Sequence, residues 1–199
     1  MEDWDLVFKY ELTTEPTSLF KNGLMRKPDK SSLRKILMPK TILLKDRGSY
    51  QTTVLDGGSL IHRVRWIKGS KFKEISKTYV NYIFKNYSNP LIVFDGYGAP
   101  STKDQEHIRR NSVPLSSFIK IEKQNEVTFS QDKYLTLQEN KAEFVLFLHN
   151  CFLEAGIKSI QCSGDADTTI VNNAIQLCEK QDILVVADDS DIAIMLFVQ

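Results

Sequence analysis

Three apolar runs constrain this chain more than any other feature. They are TTVLD from Thr52 to Asp56, LIVFD from Leu91 to Asp95, and ILVVADDSD from Ile183 to Asp191, and each stops at aspartate. The runs lack the polar alternation of a half-exposed strand, so both faces of each strand are expected to be covered. Segments of helical spacing lie between them. A short helix is expected from an N-cap at Ser59 to about Arg65, after Gly57 and Gly58 as breakers. Lys71 to Lys85 repeats Phe72, Ile75, Tyr79, Tyr82 and Ile83 at helical intervals. Glu139 to Ala155 does the same with Phe144, Val145, Leu148 and Phe152, and Gly156 follows as a C-terminal stop. Lys158 to Cys162 reads as a strand, and Asp167 to Glu179 as a helix. Alternation of this kind predicts an α/β domain with a central, mostly parallel β-sheet flanked by helices. In such sheets ligands sit outside the carboxyl ends of the strands. Asp56, Asp95, Asp189 and Asp191 are therefore expected on one rim, with Asp165 and Asp167 joining them from the start of a helix.

The chain has 199 residues, of which 42% are hydrophobic, enough for one globular core. Residues 1–50 carry weaker signals, a strand over 6–12 and a helix over 31–37 ended by Pro39, and read as an N-terminal arm or subdomain ahead of a domain over 51–199. No apolar stretch reaches the roughly 20 residues of a membrane helix, and the acidic start MEDWD lacks a signal-peptide pattern. Cys151, Cys162 and Cys178 form no C-x-x-C pair and read as reduced thiols. An intracellular protein, nuclear or cytoplasmic, is expected.

Net charge is only +1, but it is segregated. Between Ser59 and Lys85 the charged residues are Arg63, Arg65, Lys68, Lys71, Lys73, Lys77 and Lys85 against Glu74. From Cys162 to Asp191 the balance reverses, with Asp165, Asp167, Glu179, Asp182, Asp188, Asp189 and Asp191 against Lys180. Acids beside basic surfaces suit an anionic ligand held with a cation; solvated helix faces and an acidic loop are the plain alternative. An aspartate after a strand is also an ordinary turn residue, and one at a helix start an ordinary cap. Several together repel, which raises their pKa and costs stability unless a cation sits among them. Mg²⁺ and Mn²⁺ bind through one or two carboxylates with water and substrate phosphates, and a pair of such ions supports phosphodiester hydrolysis.

These motifs resemble the PIN-like superfamily, and within it the flap endonuclease and XPG family of 5′ nucleases. VLDGGSLIHR resembles the first acidic motif. IVFDGYGAPSTK is similar to the strand, FDG and proline-containing turn of that family, and its longer stretch is similar to invertebrate PIN-like proteins. SGDADTTIV resembles the paired-carboxylate motif, with aspartates in place of the usual glutamates. VVADDSDIAIML resembles the motif of two aspartates separated by one residue. The resemblance implies that Asp56, Asp95, Asp165, Asp167, Asp189 and Asp191 hold one or two Mg²⁺ or Mn²⁺ ions, with Asp188 behind them. It also implies that Lys103 and Arg110, seven residues apart after FDG, position the scissile phosphate, with Arg109 adjacent. Arg63, Arg65, Lys68, Lys71, Lys73 and Lys77 are then expected along bound nucleic acid, DNA in preference to RNA. The implied activity is metal-dependent cleavage at flaps, junctions or ends. Flap endonucleases continue with another acidic motif and a helix–hairpin–helix, so 51–199 is expected to be a nuclease domain shortened at its C-terminus.

Two rivals follow from the same residues. A non-catalytic module would bind nucleic acid or a protein, with Tyr79, Tyr82, Tyr87 and Tyr97 as stacking platforms, although core packing is the commoner use of a helical aromatic stripe. A haloacid-dehalogenase-like phosphatase would use the DADTT at Asp165 to Thr169, although only one helix separates it from the last acidic motif.

Overall fold

A computed structural model describes residues 20–26, 50–96 and 117–198. The chain divides into two compact units, Met1–Ile42 and Leu43–Gln199, a division that falls ahead of the boundary expected at residue 50. The strand and helix expected over 6–12 and 31–37 lie outside the described residues. In the first unit, β1 (Phe20–Lys21) and β2 (Leu24–Met25) form an antiparallel hairpin. Its turn residues, Asn22 at φ 55° and Gly23 at φ 73°, are both left-handed. This is the type I′ geometry that Asn-Gly favours between strands.

The second unit is an α/β layer structure. In chain order it runs β3 (Thr52–Asp56), α1 (Gly57–Arg63), α2 (Phe72–Asn86), β4 (Pro90–Phe94), α3 (Gln131–Thr136) and α4 (Gln138–Glu154). It continues through β5 (Lys158–Gln161), α5 (Ala166–Cys178), β6 (Ile183–Val186) and α6 (Ser190–Val198). The four strands pair in parallel in the order β5-β4-β3-β6. β3 and β4 occupy the centre and are almost wholly buried, as their unbroken apolar runs require. β5 and β6 form the edges and remain half-exposed.

Strand alternation divides the core. Leu55, Ile92 and Phe94 point to the side of α1, α2 and α4, where they meet Leu60, Phe72, Tyr79, Phe144 and Phe152. Phe94 stacks on Phe152, with ring centroids 6.2 Å apart. Val54, Leu91 and Val93 point to the opposite side and pack on Ala166, Ile170, Val171 and Ile192 of α5 and α6. Each such side chain, fully buried, contributes about 1.5–3 kcal/mol over leaving it in water.

α1 is short, and both of its ends need partners. At its C-terminal end the Tyr79 hydroxyl donates to the Ile61 carbonyl at 2.6 Å, and the Gln131 amide reaches Ile61 and Val64 at 2.8 and 3.0 Å. Trp66 closes over this network, its indole N–H donating to Tyr79 at 3.2 Å. Burial pushes the Tyr79 phenol well above its ordinary value. The first free N–H groups of α2, on Phe72 and Lys73, donate to the carbonyls of Asn125 and Lys123. Main chain from the segment ahead of α3 therefore covers that helix start.

Candidate functional site

The sheet order fixes where a site can form. From β3 the chain moves outward through β4 to β5, then returns across the sheet to β6 on the other side of β3. The order thus reverses between β3 and β6, and at such a switch point the connections diverge and leave a crevice above the carboxyl ends. Asp56 is the last residue of β3, and Asp188 lies two residues past β6. Asp95 follows β4 directly. Asp165 and Asp167 sit at the start of α5, and Asp189 and Asp191 at the start of α6. All the carboxylates that the sequence marked therefore belong to connections at the carboxyl edge.

Asp56 is the true cap of α1. Its carboxylate accepts from the Gly58 N–H at 2.8 Å, so the helix begins at Gly57 and not after Ser59 as the sequence suggested. Two glycines at a helix start read as breakers, but here they answer to space. A Cβ on Gly57 would fall 2.2 Å from the Phe94 ring, and one on Gly58 would lie 3.2 Å from Asp56 Oδ1 and 3.8 Å from Asp95 Oδ2. Both carboxylates thus lie within 4 Å of one point above Gly58. Asp95 is held in place by its other oxygen, which accepts the Ala166 N–H at the start of α5 at 2.9 Å.

Further hydrogen bonds stitch the rim together. The Cys162 N–H donates to the Phe94 carbonyl at 2.9 Å, and the Gly96 N–H to the Gly164 carbonyl at 2.7 Å. A Cβ on Gly96 would meet the Cys162 carbonyl oxygen at 2.4 Å, so FDG requires its glycine for this backbone approach. Asp165 accepts from the Asp167 N–H at 3.5 Å, and Asp189 from the Asp191 N–H at 3.0 Å, each closing a helix start.

Charge is concentrated at Asp56. Burial raises its pKa first of all, the N–H groups of Ser59 and Gly58 pull it back, and the neighbouring Asp95 and Asp188 push it up again. Asp188, which the sequence placed behind the others, faces α1. It accepts from the Ser59 hydroxyl and, at 2.8 Å, from Arg63 Nη2. Arg63 Nε also donates to Ser59 Oγ at 3.0 Å. The Arg63 side chain expected along nucleic acid is therefore paired with Asp188, joining α1 to the connection after β6. The sequence signals nothing of this, because Ser59 and Asp188 are separated by 129 residues.

The other basic positions lie apart from the acids in the chain. Arg65 and Lys68 are exposed between α1 and α2, Lys71 immediately precedes α2, and Lys73 and Lys77 are exposed on it. Three residues, 87–89, separate α2 from the start of β4, so the Asn86 end of α2 lies near the amino edge and its Lys71 end lies away from it. Lys103, Arg109 and Arg110 lie outside the described residues, as does Tyr97. Tyr79 and Tyr87 are core residues at 0% and 6% exposure, which corrects their use as stacking platforms: the helical spacing of these tyrosines serves packing. Cys151, Cys162 and Cys178 are all free thiols.

Among the described residues, no group of three or more His, Cys, Asp or Glu side chains closes into a coordination cluster. Asp56 and Asp95, flanking the point above Gly58, instead offer the two-carboxylate, oxygen-only donor set through which Mg²⁺ binds while keeping its waters. No helix among the described residues is long and apolar enough to cross a membrane. Compared with protein-family models, curated proteins and solved structures, the chain matches none.

Proposed function

We propose that the second unit is a PIN-like domain of the 5′-nuclease type, and that it hydrolyses phosphodiester bonds in nucleic acid with Mg²⁺ or Mn²⁺ at its carboxyl rim. The observation that carries this reading is the pair Asp56 and Asp95, both within 4 Å of one point at the edge of the sheet's switch-point crevice. Two carboxylates so placed repel, and Asp56 is already raised by burial and by its acidic neighbours. A divalent cation relieves that repulsion and, when bound, supplies a more acidic water and neutralises phosphate charge.

The chain's own residues supply the rest. Asp56 and Asp95 hold the ion, each fixed by a main-chain N–H at a helix start. Asp165, Asp167, Asp189 and Asp191 complete the acidic rim, where a second ion would be held. Lys103 and Arg110 position the phosphate, and Lys71 and Lys73 extend the basic surface from the end of α2 nearest this edge. DNA is the preferred substrate, at a flap, junction or end.

A second reading, binding without cleavage, is favoured by one observation: Asp188 is occupied by Arg63 and Ser59. One assay separates the two. Labelled single-stranded, duplex and 5′-flap DNA and RNA are incubated with Mg²⁺ or Mn²⁺, using wild type and Asp95→Asn. The asparagine keeps the oxygen that accepts from Ala166 but removes the charge. Metal-dependent products from wild type alone are expected. Binding by both proteins without products would leave the non-catalytic module.

A further inference from the structure

The acids at the mouth of the crevice include one that already has a cation. Arg63 donates to Asp188 Oδ1 at 2.8 Å and to Ser59 Oγ at 3.0 Å, while the Ser59 hydroxyl donates to Asp188. Ser59 and Arg63 stand four residues apart on α1, the spacing that places two side chains on one helix face. Asp188 comes from the opposite wall, after β6. The three side chains thus join the two sides of the switch point. Asp188 also lies close enough to Asp56 to push its pKa up, and Arg63 is paired with Asp188.

We infer that Arg63, Ser59 and Asp188 form an exchangeable clasp: without a divalent ion the guanidinium neutralises this wall of the crevice, and ion binding releases it to the phosphate of an incoming nucleic acid. The inference rests on the metal-site reading above. Two features support exchange over a fixed structural pair. The Arg63 and Asp188 side chains are 31% and 63% exposed, so the pair is weak and opens readily. The clasp is also bridged by a hydroxyl, and Ser59 can turn its O–H hydrogen bond to another acceptor once Asp188 turns toward an ion. A divalent cation near Asp56 repels the guanidinium and attracts Asp188, and both effects open the clasp. Arg63 is then a positioning residue for substrate, and available only in the ion-loaded state.

The test measures Mn²⁺ affinity and oligonucleotide binding without cleavage. Free Mn²⁺ is counted by electron paramagnetic resonance against wild type and Arg63→Lys. Lysine keeps the charge but cannot bridge Ser59 and Asp188 at once. The clasp predicts that Arg63→Lys binds Mn²⁺ about two- to fivefold more tightly than wild type. In EDTA, a fluorescent single-stranded oligonucleotide is titrated with wild type, Asp188→Asn and Asp95→Asn. Asp188→Asn frees Arg63 and is expected to bind about two- to fivefold more tightly than Asp95→Asn, which removes the same charge from the rim but leaves the pairing of Arg63 with Asp188 in place. Mn²⁺ binding by wild type with no change in Arg63→Lys, or equal oligonucleotide affinity of the two asparagine variants, overturns the clasp alone. Absence of Mn²⁺ binding by wild type overturns the metal-site reading with it.

Discussion

The two edges of the parallel sheet solve the problem of terminating buried strands in opposite ways. At the amino edge, Thr52 is buried at the start of β3, and its hydroxyl accepts from the Asn89 amide and the Gln181 amide, each at 2.8 Å. Both donors and the acceptor there are neutral. At the carboxyl edge β3 ends in Asp56 and β4 is followed by Asp95, and these two approach a common point above a glycine. At Thr52 the meeting groups are neutral, whereas Asp56 and Asp95 bring like charge together at the other edge. That contrast is the reason the proposed cation-dependent function is assigned to the carboxyl edge.

Substitutions can break this contrast, and the largest effect is expected where backbone meets backbone. Gly96→Ala drives a methyl into the Cys162 and Ser163 main chain and should cost about 1–3 kcal/mol in denaturant unfolding. It should also disturb ion binding, because Asp95 is its neighbour. Thr52→Val, at the opposite edge, leaves two amides short of an acceptor and should cost about 1–2 kcal/mol with ion affinity unchanged. Equal damage to ion binding from both would erase the distinction between the edges.

Asp56→Asn should act in the opposite direction. The Asp56 carboxyl has a raised folded-state pKa, chiefly through burial, so the folded chain holds this proton more tightly than the unfolded one. Its ionisation therefore lowers stability as pH rises from the ordinary value of 3.8 through the folded value, and the loss persists above that. Asparagine keeps the cap on α1 and removes the charge. Melting at pH 7 without metal should rise by about 1–4 °C, and the advantage should shrink as pH falls toward 4. A lower melting temperature at pH 7 would show that the charge is stabilising where it sits. The smallest change is expected from Arg63→Ala, which removes an exposed pair and should move stability by less than about 1 kcal/mol.

Much of this arrangement was legible in the sequence, for identifiable reasons. β3, β4 and β6 are apolar runs with a carboxylate after them, and a buried parallel strand needs that pattern. α2, α4 and α5 repeat large apolar residues at helical spacing. The Asn22-Gly23 hairpin was open to reading and passed over, because its strands are only two residues long. α6 was missed for the opposite reason: IAIMLFV is apolar all round and carries no period. The start of α1 was misplaced because Gly57 is required by the Phe94 ring and Gly58 sits against the Asp56 carboxylate, which no local rule registers. The union of Asp188 with Ser59 and Arg63 depends on β6 pairing beside β3, a long-range choice that propensity does not encode.

Gly58 offers the most direct test. Gly58→Ala adds a methyl 3.2 Å from Asp56 Oδ1 and 3.8 Å from Asp95 Oδ2, beside the two carboxylates proposed to hold the ion. Within the first turn of α1 the same change favours helix by about 0.5–1 kcal/mol. The measurement is the melting temperature of wild type and Gly58→Ala as Mn²⁺ is titrated at pH 7. Wild type should rise continuously with Mn²⁺ concentration as ion binding stabilises the fold. Gly58→Ala should start at or above wild type and remain flat. An equal rise in both proteins, or none in wild type, would contradict an ion held between Asp56 and Asp95.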